Sequence, residues 1–92
     1  MADFDLDVAW RLHPQVSVRP ERFGALLYHF GTRRLSFVKT PELFAVVTAL
    51  DSQPPARAAC ALAGVGTAEL PVYARALGTL AASQMICERT AA

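Results

Sequence analysis

The chain has 92 residues, 53% of them hydrophobic and 18% charged, which excludes a disordered polymer and gives one small domain that buries about 60% of the surface its unfolded chain exposes. A net charge of +1 is too small for a protein whose affinity comes from neutralising phosphates. No apolar run nears the ~20 residues that span a bilayer, and so apolar a composition leaves surface for a partner.

The N-terminus, Met-Ala-Asp-Phe-Asp-Leu-Asp, is acidic where a signal peptide is basic, so a cytoplasmic protein is expected. Asp3, Asp5 and Asp7 alternate but lack the glycine and closing glutamate of a calcium loop. Residues 1–10 therefore read as a flexible, solvated arm that Phe4 or Trp10 pins down.

Val16 and Val18 alternate with Gln15, Ser17 and Arg19 between Pro14 and Pro20, the period of a half-buried strand. A loop through Glu21 and Arg22 leads to a second strand, Ala25 to Phe30, and Gly31-Thr32 fits a two-residue type II′ turn into a third, Arg33 to Val38. That turn sets Tyr28 opposite Leu35 and Leu26 opposite Phe37. These four apolar residues are expected to form the core face, with Leu27, His29, Arg34 and Ser36 on the other. It also makes Phe30 and Arg33 the first hydrogen-bonded pair, turning the main chain of Leu35 and Phe37 inward and that of Arg34, Ser36 and Val38 outward.

Thr40-Pro41-Glu42 supplies an N-cap, a first-turn proline and an acid for a helix carrying Leu43, Val46, Val47 and Leu50, which Asp51 to Pro54 end. A second helix runs from about Pro55 to Ala63 with Gly64 as its cap. The third begins between Thr67 and Pro71 and stripes Leu70, Tyr73, Leu77 and Leu80 along one side, Ala74 and Ala81 beside them. Met85-Ile86-Cys87 reads as a last short extended piece. The fold class is thus α+β, one domain over residues 1–92: a three-stranded antiparallel meander followed by three helices.

The third strand has no later strand to pair with, and Arg33, Arg34 and Lys39 flank it with no acid among them, whereas residues 51–92 balance three arginines against three acids. Charge on an open edge guards against aggregation and also attracts an acidic peptide. Catalysis is not expected, because Tyr28 and His29 have no nucleophile or acid at a motif spacing. His13, His29, Cys60 and Cys87 match no metal-ligand spacing, and the two cysteines read as reduced, packed thiols. The last two helices join in helix-turn-helix style, yet the third offers only Arg75 and Gln84 for bases or phosphates. No cofactor, metal, nucleic acid or membrane is called for.

The stretch W-R-L-H-P-Q-V-S-V-R-P-E-R-F-G-A-L-L-Y-H-F-G-T-R-R-L-S-F-V, Trp10 to Val38, resembles the mycofactocin biosynthesis chaperones, small relatives of the PqqD-like proteins of pyrroloquinoline quinone biosynthesis. The helical part of the chain is generic. The resemblance implies a RiPP recognition element: a winged-helix-like domain that binds the leader of a ribosomally made precursor peptide and delivers it to a radical SAM maturase. In such domains the leader adds beside the third strand and lies against the third helix. Carried onto this chain, that implies Arg34, Leu35, Ser36, Phe37 and Val38 on the strand, with Tyr73 and Leu77 as groove walls. The basic edge adds Arg33 and Lys39 and favours an acidic leader. The alternatives are a homodimerising adaptor that pairs the same edge with its twin, and a DNA-binding winged helix.

Overall fold

The computed structural model describes residues 4–52 and 55–89. Its elements run β1 (Trp10–Leu12), β2 (Val16–Glu21), β3 (Gly24–His29), β4 (Arg34–Val38), α1 (Pro41–Ala49), α2 (Ala56–Leu62), a 3-10 turn at Thr67–Glu69, α3 (Leu70–Ala82) and β5 (Ile86–Glu88). The architecture is α+β with three α-helices among the described residues, but there are two antiparallel sheets where one was expected. β2, β3 and β4 form one in sequence order, and β1 pairs with β5 in the other.

The β3–β4 register is the expected one, Tyr28 opposite Leu35 and Leu26 opposite Phe37. The turn that sets it is different. Phe30 to Arg33 form a four-residue loop closed by the Arg33 N–H on the His29 carbonyl at 2.7 Å, and Arg33, not Gly31, takes the left-handed conformation at φ 60°. The buried His29 ring organises this loop, its Nδ1 accepting the N–H groups of Gly31 and Thr32 at 3.0 and 3.1 Å. The ring therefore carries its proton on Nε2, which has no partner among the described residues.

The core face is also the opposite of the expected one. Ala25, Leu27 and Val38 are fully buried and His29 is 2% exposed, whereas Leu35 and Phe37 are 53% and 54% exposed. β3 is apolar on both faces, so alternation alone could not choose between them. The helices decide: Val46 and Val47 of α1 and Leu50 at its C-terminal cap pack with Leu27 and Val38 in one cluster with Cys60, Leu77, Leu80 and Ile86. Each such large side chain contributes about 1.5–3 kcal/mol by leaving water.

The helix ends follow their sequence signals. The Thr40 hydroxyl accepts the Leu43 N–H at 3.0 Å with Pro41 in the first turn. α2 closes with Val65 N–H on the Cys60 carbonyl and Gly64 N–H on that of Ala61, with Gly64 at φ 86°. α3 closes by the same pair of bonds, Met85 to Leu80 and Gln84 to Ala81, but here Gln84 holds the left-handed position at φ 63°. That turn aims the chain into β5, which reaches back to β1 as Trp10–Glu88 and Leu12–Ile86 pairs. Residues 4–9 pack on the helices: Phe4 stacks on Trp10 at 4.5 Å, Arg57 bonds Asp7 at 2.9 Å, and the Arg57 and Ala56 N–H groups bond the Leu6 and Val8 carbonyls. The first three residues of the expected arm, and Pro54 at the expected end of α1, lie outside the described residues.

Candidate functional site

Among the described residues both edges of the three-stranded sheet lack a neighbour, and the backbone distinguishes them. Phe30 donates its N–H to Gln15 at 2.9 Å, so Phe30, and by alternation Tyr28 and Leu26, direct their main chain toward β2. His29, Leu27 and Ala25 then face β4, where they meet Arg34, Ser36 and Val38. The outward main-chain groups of β4 are therefore those of Leu35 and Phe37, the reverse of the expectation from a two-residue turn. On β2 the outward positions are Val16, Val18 and Pro20. Val16 gives its N–H to His13 at 2.9 Å and Pro20 has none, so that edge is blunted and only Val18 offers a donor.

Beside β4 the surface is hollowed. A cavity of about 460 Å³ is lined by Phe37, Lys39, Leu43, Tyr73, Ala76 and Leu80, with Thr40, Glu69, Val72 and Thr79 around them. At the other end of the same two elements a hollow of about 140 Å³ lies among Thr32, Arg34, Ala82, Ser83 and Gln84. β4 and α3 thus run antiparallel along an open cleft whose walls are apolar at one end and polar at the other.

Tyr73 lies on this wall and Leu77 does not. It is fully buried in the core, one face away from Val72, Ala76 and Thr79, which line the cavity instead. No motif on α3 fixed its rotation in advance, and the helical stripe alone could not separate core from wall. Val38 is buried and Ser36 half-buried on the core side of β4, while Arg33, Arg34, Leu35, Phe37 and Lys39 are exposed.

The charge is less uniform than residues 33–39 suggest. Glu69 shares the cavity wall with Lys39. Burial first, then the carboxylates of Glu69 and Glu42, raise the Tyr73 phenol above its ordinary value, so it stays a neutral hydrogen-bond donor. The uncompensated positive end of the cleft is at Arg33 and Arg34. Among the described residues the only ion pairs are Arg19–Glu21 and Arg57–Asp7, both away from the cleft.

The other chemical candidates separate. Tyr28 and His29 point to opposite faces of β3, since His29 is buried beneath the sheet. The His13 and His29 rings lie 4.3 Å apart, but each Nδ1 accepts backbone N–H groups. Burial pushes the Cys60 thiol up, which keeps it protonated. No helix of the described residues is long and apolar enough to cross a membrane.

The profile of the Peptide chaperone MftB family matches residues 9–87. Proteins named Peptide chaperone MftB from Mycobacterium tuberculosis and Mycobacterium ulcerans are each 54% identical to this chain over 88 residues, covering 96% of it and 81% of their own length. A third of that name, from Mycolicibacterium smegmatis, is 55% identical over 83 residues, covering 90% and 81%. No solved structure matches.

Proposed function

The chain belongs to the peptide chaperone MftB family, and from that premise we propose that it captures the leader of a ribosomally made precursor peptide as a strand added to β4 and presents it to a radical SAM maturase in mycofactocin biosynthesis. Its relatives are named chaperones, a role without turnover. We read the sheet with α3 beside it as winged-helix-like and the step as cytoplasmic.

The observation that carries this reading is the open edge of β4 alongside an apolar cleft. An extended peptide there takes main-chain hydrogen bonds from Leu35 and Phe37, which give affinity without regard to sequence. Alternate side chains enter the cavity against Leu43, Tyr73, Ala76 and Leu80, which gives specificity. Arg33 and Arg34 draw an acidic stretch to the turn end, acting mainly on association rate. Leu77 supports the wall from within the core.

Calorimetric titration with the leader, beside a scrambled leader of equal composition, tests capture. Maturase turnover with and without the chaperone tests presentation. Selective binding and faster modification are expected; equal modification in both reactions removes the delivery role.

A further inference from the structure

The sheet has a second surface, which meets the capture cleft only at Phe37. On the face turned away from the helices lie Leu26, Tyr28, Leu35 and Phe37, with Phe23 and Phe30 at its two ends. Phe30 is 62% and Phe23 40% exposed. The aromatic rings pack on one another rather than on the core: Phe23 against Phe37 with centroids 6.1 Å apart, and Phe30 edge-on to Tyr28 at 5.3 Å. A contiguous apolar face of this kind on a small domain is the mark of an interaction surface.

Its rim is one-signed. Between Ser17 and Arg33 the chain carries Arg19, Arg22 and Arg33 against the single acid Glu21, and Glu21 is bonded to Arg19 at 2.8 Å; Arg34 and Lys39 belong to the cleft instead. A second copy laid face to face would set these cations against their twins. A partner with carboxylates around an apolar patch meets them with opposite charge.

We propose that this outer sheet face docks a second protein through an apolar patch bordered by acidic side chains, and that this partner is the enzyme that modifies the captured peptide. The identity of the enzyme rests on the chaperone reading. The docking face does not, because it lies across β4 from the cleft. An enzyme seated on Leu26, Tyr28 and Phe30 leaves the cavity free and lies one strand from the peptide.

The test is the double variant Phe23→Asp, Phe30→Asp, which changes two exposed loop side chains, beside Phe30→Asp alone, because Phe23 packs on Phe37 at the cavity wall whereas Phe30 lines neither the cleft nor the core. Binding of purified maturase is measured by surface plasmon resonance, and leader binding by calorimetry on the same samples. Loss of the aromatic contacts at the two ends of the face is expected to weaken enzyme binding by about tenfold or more, with the leader affinity and melting temperature of Phe30→Asp alone unchanged. Enzyme affinity equal to that of the parent overturns the proposal. So does a concentration-dependent dimer, or adsorption to phosphatidylserine vesicles, that the double variant abolishes while enzyme binding persists. A parent protein that binds enzyme but no leader removes the capture reading and leaves the docking face standing.

Discussion

The N–H of Phe30 reaches the carbonyl of Gln15 at 2.9 Å, and this bond fixes the direction of every main-chain group in β4, which begins directly after the loop at Arg34. With Phe30 committed to β2, Leu35 and Phe37 face outward and Arg34, Ser36 and Val38 face the sheet. Leu35→Pro is therefore expected to keep the fold and lose the leader, because it removes an N–H that the free protein leaves to water. Ser36→Pro removes a ladder donor and strands the Leu27 carbonyl beneath it, at about 1–3 kcal/mol. Thermal melts and leader titration on both variants, with Leu35→Ala to separate side chain from backbone, check the assignment.

The cleft and the core meet at α3, one helical face apart. Val72 is 68% exposed beside the cavity, so Val72→Asp is expected to weaken leader binding several-fold with little change in melting temperature. Leu77→Ala should do the reverse, costing about 2–5 kcal/mol through the cavity it leaves. Leader affinity of the folded fraction should stay near the parent value.

Gly24 is held where no side chain fits. A Cβ there would overlap the Val38 carbonyl and press on that of Thr40 at 2.9 Å, and its φ is 151°. Gly24→Ala is expected to destabilise by more than about 1 kcal/mol and to displace the Val38 end of β4, so melting temperature and leader affinity fall together.

Gln84 carries the opposite kind of strain. It occupies, at φ 63°, the left-handed position that ends α3, a place where glycine is ordinarily favoured by about 1 kcal/mol. Gln84→Gly should raise the melting temperature by a few degrees. An unchanged or lower value would mean that the side chain itself holds the turn into β5.

Salt dependence reports on the basic end of the cleft. Arg33 and Arg34 have no carboxylate partner among the described residues, so leader association should slow as ionic strength rises. Arg33→Glu with Arg34→Glu should slow it further and flatten the salt response. Affinity that is flat from low to high salt in the parent protein would reduce these arginines to guards against aggregation.

The pairing of β3 with β4 was legible because alternation and a short loop leave few registers, and Tyr28 opposite Leu35 satisfied both. The face was not legible, because Leu26 and Tyr28 are as apolar as Ala25 and Leu27. In β4 the larger side chains, Leu35 and Phe37, lie outside while Ser36 and Val38 lie inside. Pattern reasoning cannot choose a core face where both faces of a strand carry apolar side chains. The turn misled for a local reason: Gly31 looked like the special residue, but the His29 ring gathers the loop amides and Arg33 takes the left-handed place. β1 and β5 are three residues each and come from opposite ends of the chain; Met85-Ile86-Cys87 read as extended, but no local pattern gave it β1 as a partner. The family was legible from Trp10 to Val38, and the profile match over residues 9–87 agrees.

Amide hydrogen exchange with and without the leader tests strand addition on β4 most directly. In the free protein the N–H groups of Ser36 and Val38 should exchange slowly and those of Leu35 and Phe37 quickly, since only the first two lie in the ladder. Leader binding should slow Leu35 and Phe37 selectively. If these two amides exchange as fast in the complex as in the free protein while the leader is bound, the peptide is not a strand on this edge.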